Sequence, residues 1–373
     1  MPVLLRTVMS KADLRKFIHL PEKIHRGHEN WVCPVYLDEW DFYNPKKNRF
    51  FHNCSTILLL AIKDGKPAGR IMGIINHRYN QVHREETGRL FAFECYNDQE
   101  VALALTGAIE DWLRQQGMKK IIGPFGFSDK DPQGFLVEGF DQPVVIATNY
   151  SLPYMPEIME KCGYGKEIDC VDYIMPVPKT IPDFYKGIYK RTVETNHISV
   201  TEFIIRRQLR PVIRPVFELI NKTYSEIYGF SEVTTKEMDY FANRYLLLIN
   251  PRFVKVVYNE NRELIAFALG MPEVSDGIRK ARGRLFPFGF IKVLRASRKT
   301  RLLTMLLGAI RNDYRNNGLD ALMGIKIIDS AQQEKFEYID SHLVLETNTK
   351  MRAEYEKLGG VVRKRYRIYS KRL

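Results

Sequence analysis

A polar loop between an apolar run and a helix carries residue types that bind phosphate. Residues 302–310 are almost wholly apolar, and residues 311–318 read Arg-Asn-Asp-Tyr-Arg-Asn-Asn-Gly. A strand that passes through free backbone N–H groups into a helix N-terminus forms an anion cradle, because the amide dipoles converge there. Gly318 leaves room for a phosphate, and Arg315 adds a positive charge. We therefore predict an anion-binding loop that opens a helix near Leu319, with an ordinary strand-to-helix turn as the alternative.

A second group of polar residues follows the next predicted strand. That strand covers residues 339–346 and ends at Glu346, after which Asn348 leads into residues 351–360, Met-Arg-Ala-Glu-Tyr-Glu-Lys-Leu-Gly-Gly. Tyr355 stands seven residues after Asn348, and a phenol can give a proton to a reacting group. This spacing predicts a strand, a turn and a helix that carries the tyrosine.

The loop, the asparagine and the tyrosine together give the second half a resemblance to the GNAT superfamily of N-acetyltransferases. The resemblance implies that the pyrophosphate of acetyl-CoA, or of another acyl-CoA, lies on the N–H groups of the loop. The residues that it implies for binding this donor are Ile310, Arg315, Asn316, Asn317, Gly318, Leu319, Asp320 and Asn348.

The resemblance also implies catalytic roles. Tyr355 would protonate the leaving thiolate, and Asn348 would bind the cofactor arm. Glu346, on the strand beside the proposed thioester, is the nearest carboxylate that could deprotonate an amine. The alternative for Glu346 is an exposed strand carboxylate, with a water chain serving as the base.

One residue departs from the family pattern. Where the family usually has Gly or Ala two positions after the loop glycine, this chain has Asp320. A carboxylate in the first helical turn stabilises the helix through the macrodipole but repels a pyrophosphate. We therefore expect Asp320 to weaken binding of the donor.

The order of elements occurs twice in the chain. The hairpin pattern of residues 56–76 recurs at residues 253–271, and two similar halves explain the recurrence. As the resemblance implies, each half is predicted to be an α/β (α+β) GNAT-like domain, a mixed, mostly antiparallel sheet flanked by helices and split near the cofactor loop. The chain as a whole resembles bacterial proteins with two such domains in tandem. The predicted units are residues 1–178, a linker at 179–197, and residues 198–373.

The first half lacks the residues that carry this chemistry. Residues 97–100 read Asn-Asp-Gln-Glu, without glycine or arginine, and Met159 stands at the position of Tyr355. Two acids in the first helical turn take the place that a phosphate would need. We therefore predict that the first half keeps the fold without the donor site, which leaves one active site, in the second half.

Length and composition limit the class of protein. A chain of 373 residues suggests about two domains. Its five cysteines contain no Cys-x-x-Cys pair, which argues against a disulfide framework and a metal site. No apolar run reaches the roughly 18 residues of a membrane span, and charged residues interrupt the N-terminus. These features predict a soluble cytoplasmic protein and leave its oligomeric state open.

The net charge of +13 comes from two local segments. Residues 277–301 contain nine Lys or Arg and no acid, and residues 363–372 contain six more, again without an acid. Three interpretations of residues 277–301 remain open: a flap that draws in CoA phosphates, a nucleic-acid contact, and a membrane-surface contact. The flap is favoured over the nucleic-acid contact.

The resemblance favours an enzyme that transfers an acetyl group from acetyl-CoA to an amine. The acceptor would be a small molecule or a peptide, and composition does not identify it. Two alternatives remain: a Fem-type transferase that takes an aminoacyl group from tRNA, and a non-catalytic GNAT-fold binding protein.

Overall fold

The computed structural model describes residues 2–181, 183, 187–188, 190–192, 198–239 and 249–373. Within these ranges a sheet of thirteen strands is flanked by helices. The strands are β1 (Leu4–Thr7), β2 (Cys54–Lys63), β3 (Lys66–Asn76), β4 (Thr87–Cys95), β5 (Lys120–Gly123), β6 (Phe135–Glu138), β7 (Gly165–Pro176), β8 (Ser199–Glu202), β9 (Val254–Tyr258), β10 (Leu264–Pro272), β11 (Leu302–Ile310), β12 (Tyr338–Leu345) and β13 (Val361–Arg372). The described α-helices are α1 (Lys11–Ile24), α2 (Tyr36–Phe42), α3 (His77–His83), α4 (Gln99–Gln115), α5 (Tyr154–Lys161), α6 (Ile213–Thr223), α7 (Ser275–Ala281), α8 (Gly289–Lys299), α9 (Leu319–Gln333) and α10 (Thr349–Lys357).

Local signals set many of these boundaries. Ser10 accepts a hydrogen bond from the N–H of Asp13 and so caps α1, and Asp98 caps α4 through the N–H of Val101. The two predicted hairpins are present as β2–β3 and β9–β10. The mixed, mostly antiparallel sheet with flanking helices confirms the predicted fold class.

The sheet shows the internal repeat as a mirrored order of strands. It runs β1-β2-β3-β4-β5-β13-β7-β12-β11-β10-β9-β8, with β6 also paired to β13. The pairs β4–β5 and β11–β12 are parallel, and the other pairs are antiparallel. Each half therefore contributes five strands in the same order, on opposite sides of a central pair.

The central pair of strands is exchanged between the halves. β7, which closes the first half in sequence, pairs with β12, and β13 pairs with β5. The two exchanged strands also pair with each other over most of their length. The predicted linker at 179–197 lies largely outside the described residues, so the domain boundaries remain a prediction.

The halves differ in the connection between their third and fourth strands. In the first half this connection holds only α3, whereas in the second half α7 and α8 form a helical hairpin from the basic segment. Buried side chains form one large apolar cluster in the first half and further clusters in the second. Of the helices in the described ranges, none has the length and apolar content needed to cross a bilayer.

Candidate functional site

The parallel strands β11 and β12 separate soon after they begin to pair. Only Leu302, Leu303 and Thr304 of β11 pair with β12, at Tyr338, Ile339 and Asp340. Beyond these residues β11 continues to Ile310 beside β10, while β12 pairs with β7. The gap between the two strands corresponds to the split that the family resemblance implied beside the loop after β11.

A bulge on each strand adjoins this gap. The pairing of β10 with β11 passes from Met305 directly to Leu307, so Leu306 is the extra residue. On β12 the pairing with β7 is interrupted between Asp340 and Leu343. His342 lies in that interruption with a left-handed backbone, φ 57°.

The loop after β11 reaches the N-terminus of α9 without a side-chain cap. Gly318 is the cap residue, with φ 80°, and offers no side chain to the first helical turn, where Asp320 Oδ1 accepts from the N–H of Ala321 at 2.9 Å. Arg315 donates a long hydrogen bond of 3.4 Å to the carbonyl of Thr223, and Lys350 contacts Asn316 Oδ1 at 3.3 Å. A helix N-terminus without a side chain at its cap residue, beside two cations, forms an environment that suits an anion.

A cavity of about 1790 Å³ opens from this loop and continues into the first half. Its walls are mainly aliphatic and aromatic. Lining residues of the second half include Tyr224, Phe267, Met305, Leu306, Ile328 and Leu358, and those of the first half include Trp31, Phe91, Phe135, Leu152 and Met155. The volume exceeds the roughly 300–1,000 Å³ of most small-molecule sites, so this cavity has room for a long apolar ligand.

Solved structures with the same architecture identify the fold. A tandem GNAT protein from the clavulanic acid biosynthesis pathway aligns over 99% of this chain and 98% of its own, with a TM-score of 0.55 and 9% identity. A GNAT-family N-acetyltransferase from Sphaerobacter thermophilus aligns over 99% and 95%, with a TM-score of 0.53 and 11% identity. The chain has the tandem GNAT fold.

Two curated proteins are similar along nearly the whole chain. Protein YghO of Escherichia coli K12 is 27% identical over 380 residues, which cover 99% of this chain and 95% of that protein. A protein named bacterial ceramide synthase, from Caulobacter vibrioides, is 28% identical over 380 residues, with coverages of 98% and 96%. No family model matches the sequence.

The GNAT fold brings five of the eight predicted donor-binding residues to the cavity. These are Ile310, Arg315, Asn316, Asp320 and Asn348. Asn348 also caps α10, where its Oδ1 accepts from the N–H of Met351 at 3.3 Å. The Asp320 carboxylate, which was expected to oppose a pyrophosphate, accepts from the N–H of Ala321 at 2.9 Å.

The other three predicted donor-binding residues do not line the cavity, and of these Asn317 is exposed. Leu319 is buried in the core, and the carbonyl of Asn317 accepts a hydrogen bond from Thr192. A Cβ at Gly318 would lie 2.4 Å from Thr192 Oγ1 and 2.9 Å from Ile188 Cγ2. The expectation that Gly318 leaves space for a phosphate is therefore corrected, because this space is filled by the segment that precedes β8.

Tyr355 lies on the wall of the cavity, within which its phenol could donate a proton to a ligand. It is half-buried on α10, lines the cavity, and its ring lies 5.7 Å from that of Tyr173. Tyr173 is itself held by Glu356 and Arg352, at 2.7 and 3.1 Å. Burial raises the pKa of Tyr355 far above its usual value, so the phenol keeps its proton at neutral pH.

Glu346 does not line the cavity, so its predicted role as the base is not supported by its position. Its carboxylate contacts Lys166 Nζ at 2.8 Å and accepts from the N–H of Asp169 at 3.0 Å, both on the exchanged strand β7. Although burial opposes the shift, these contacts lower the pKa of Glu346. A paired carboxylate of lowered pKa is a poor proton acceptor.

His342 is the titratable group of the cavity wall that sequence reasoning missed. The ring Nε2 of His342 lies 3.2 Å from the carbonyl oxygen of Ile146. The backbone N–H of His342 donates to Asp340 Oδ1 at 2.9 Å. A carbonyl oxygen can only accept, so Nε2 carries the proton and Nδ1 keeps a free lone pair. Burial lowers the pKa of His342, which favours the neutral ring. A neutral ring with a free Nδ1 lone pair on the cavity wall can accept a proton, although the lowered pKa makes it a weaker base than an ordinary histidine.

A buried group of charges lies beneath His342. Lys364 Nζ contacts Asp172 Oδ2 at 2.9 Å and the carbonyl of Pro143 at 3.1 Å, and Arg363 bridges Asp172 and Asp340. Burial, followed by the charge of Asp172, raises the pKa of Asp340 well above its usual value. These four side chains come from β7, β12 and β13, so they join the exchanged strands at the site.

In the first half, the start of α4 corresponds to the start of α9, but its acidic side chains are paired with a lysine. Asp98 and Glu100, at the start of α4, contact Lys63 Nζ at 2.6 and 2.7 Å. Neither acid lines the cavity, and Met159 is fully buried in the core. This arrangement agrees with the prediction of a single donor site, which remains untested.

Proposed function

We propose that this protein is an acyl-CoA-dependent N-acyltransferase that joins a long acyl chain to the amine of an amphiphile. The observation that carries the proposal is the apolar cavity of about 1790 Å³ at the split between β11 and β12. Acetyl-CoA, the donor that the family resemblance implies, would place only a small acyl group in this space. A fatty acyl chain or the tail of an amphiphile matches its length and its apolar walls.

The loop after β11 supplies the polar end of the donor site in this proposal. The uncapped N–H groups of α9, with Arg315 and Lys350 beside them, would hold the pyrophosphate of the CoA. The negative charge of Asp320 repels the pyrophosphate, so the positive charges of Arg315 and Lys350 have to offset this repulsion. The residues present therefore fit an anion, with one unfavourable contribution.

The name of one relative supports the choice of acceptor. Ceramide is an amide between a fatty acid and a long-chain amino alcohol, and the ceramide synthase relative is 28% identical to this chain over 380 residues. Both components of such an amide are long and apolar, and the cavity extends through both halves of the protein. We propose a long-chain amino alcohol, or an amine of similar shape, as the acceptor.

In this proposal His342 and Tyr355, two of the titratable residues that line the cavity, carry the proton transfers. The amine nitrogen forms a bond to the thioester carbon and gives its proton to Nδ1 of His342. The carbon–sulfur bond breaks, and Tyr355 gives its proton to the departing thiolate. The N–H of the bulged residue Leu306 is available to stabilise the charge that develops on the thioester oxygen.

An assay with two donors and one acceptor tests the proposal. The purified protein is incubated with sphinganine and either palmitoyl-CoA or acetyl-CoA, and the amide is measured by mass spectrometry. We expect the palmitoyl amide, with release of one free CoA thiol for each amide formed. Consumption of acetyl-CoA alone would contradict the long-chain donor, and absence of any amide with several long-chain amines would contradict the function.

Tyr355→Phe tests the acid. Loss of the phenolic proton is expected to lower kcat about 100-fold, near the lower end of general acid catalysis because a thiolate is a good leaving group. The affinity for CoA, measured by calorimetry, should stay unchanged. Tyr258→Phe is the matched control, since Tyr258 is half-buried on β9 and does not line the cavity. Full activity of Tyr355→Phe would remove this residue as the proton donor.

A further inference from the structure

The hairpin of α7 and α8 exposes a cluster of large apolar side chains. Phe286 and Phe288, in the turn between the helices, are 72% and 71% exposed, and Phe290 and Leu294 on α8 are 42% and 50% exposed. Isolated exposed apolar side chains are common on protein surfaces, whereas four within nine residues form a patch. Such a patch needs an apolar partner.

The same hairpin is strongly cationic. Residues 277–301 contain nine Lys or Arg and no acid. Arg295, Arg298 and Lys299 are exposed on α8 beside the apolar patch, and no ion pair joins them to the described part of the chain. Asp276, just before the segment, pairs with Arg279 and Lys280. The exposed surface of α8 thus combines apolar rings with uncompensated positive charge.

Packing fixes this surface in place. A Cβ at Gly277 would lie 2.6 Å from the Cα of Val293, so α7 and α8 are in close contact. The turn is tied to the first half, where the N–H of Tyr36 donates to the carbonyl of Gly283 at 3.0 Å. Arg284 also pairs with Glu22 at 3.4 Å. The hairpin is therefore a structured element that presents its patch outward.

The hairpin also forms part of the cavity wall. Leu285, Val293, Leu294 and Ser297 line the cavity, and Leu294 belongs to the exposed patch as well. The apolar surface is therefore continuous from the outside of α8 into the interior. We propose that the α7–α8 hairpin docks on an anionic membrane surface and places the cavity against the lipid, from which an amphiphilic substrate enters.

Charge and chemistry together favour a membrane over RNA. Aromatic rings between cations can stack on the bases of single-stranded RNA. A membrane interface, in contrast, accepts both aromatic and aliphatic side chains on one face of a cationic helix, which matches Phe290 and Leu294 beside the cations of α8. The hairpin is also part of the wall of an apolar cavity, which has a use at a lipid surface and none in RNA binding.

Sedimentation with vesicles tests the docking without donor or acceptor, so the result does not depend on the proposed acyl transfer. Wild-type protein should bind vesicles of phosphatidylcholine with phosphatidylglycerol and leave vesicles of phosphatidylcholine alone unbound. Arg295→Gln/Arg298→Gln/Lys299→Gln should lower partitioning into the anionic vesicles about 100-fold, because each cation near the surface contributes to binding. Phe286→Ser/Phe288→Ser should lower it as well, with the remaining binding lost at high salt.

Matched control variants show whether vesicle binding depends on the hairpin or on the total charge and the exposed apolar surface of the protein. Lys66→Gln/Lys161→Gln/Lys236→Gln removes three exposed cations elsewhere, and Met9→Ser/Ile204→Ser removes two exposed apolar side chains elsewhere. Both control proteins should bind like the wild type. The proposal would be overturned if the control variants lost as much vesicle binding as the hairpin variants, or if the wild-type protein did not bind anionic vesicles. If the wild-type protein bound single-stranded RNA but not vesicles, and the Arg295 triple variant lost the RNA binding, the surface would be assigned to nucleic acid instead.

Fluorescence gives a second measurement that does not depend on sedimentation. In Phe288→Trp the new indole should shift to shorter wavelength when anionic vesicles are added, because the ring enters the interface. Met9→Trp, at a position on the first half that is at least as exposed, should show no such shift. The same change in both variants would contradict docking through the hairpin.

Discussion

Replacing His342 with asparagine is expected to lower kcat about 100- to 10,000-fold, the usual contribution of a general base. Asparagine suits the test because it tolerates the left-handed backbone of this position, φ 57°, better than most residues. It keeps the N–H that donates to Asp340 and removes the titratable ring. The measurement is the rate of amide formation at saturating donor and acceptor, with circular dichroism and CoA affinity as checks on the fold.

The pH profile distinguishes a base from a residue that only supports the structure. Burial lowers the pKa of His342, so the ring is neutral and able to accept a proton above that pKa. The rate of the wild-type protein should therefore fall with decreasing pH at a midpoint below roughly 6.5, the value of an ordinary histidine. In His342→Asn this acidic limb should disappear. A variant that keeps full activity, or the same limb, would exclude His342 as the base.

Lys364→Met is expected to cost about 3–5 kcal/mol of the free energy of unfolding, the range for breaking a buried ion pair. Lys364 is 1% exposed, and its loss leaves Asp172 and Asp340 buried with Arg363 as the remaining cation. The excess negative charge has to be neutralised by a proton or exposed to water. Denaturant unfolding followed by circular dichroism measures the loss.

Two further variants show whether the buried charge is the cause. Asp172→Asn/Lys364→Met removes one charge of each sign and should recover part of the stability, since a balanced replacement leaves no unpaired charge. Lys47→Met, which breaks the exposed pair with Asp41, should cost less than about 1 kcal/mol. If the double variant is as unstable as the single one, the loss comes from packing of the lysine stem and the electrostatic explanation is wrong.

Local signals in the sequence predicted the elements that position the site. The two hairpins depend on residues a few positions apart, and they occur where they were expected. The recurrence of these elements also predicted two similar halves, and the resemblance to the GNAT superfamily implied their fold and a split beside the loop after β11. These predictions succeed because short-range hydrogen bonds and alternating burial determine them.

Residues whose role depends on distant parts of the chain could not be assigned in this way. Glu346 was predicted to end its strand but lies one residue beyond β12, and its partner Lys166 comes from the exchanged strand β7, which no local pattern indicates. The sequence shows His342 only as a histidine within a predicted strand. Its role depends on the interruption in the pairing of β12 with β7 and on the carbonyl of Ile146, which determines its tautomer. Gly318 was expected to leave room for a phosphate, whereas its close approach to Thr192 depends on the segment before β8.

The exchange of β7 and β13 has a consequence for the order of folding during synthesis. β13 lies between β5 and β7, so the sheet of the first half stays incomplete until residues 361–372 have left the ribosome. Until then β5 has an open edge, and unpaired edges are prone to wrong association. A chain truncated before Val361 would lose a strand from the centre of the sheet, with Arg363 and Lys364 on it. Neither half can therefore be expected to mature as an independent folding unit.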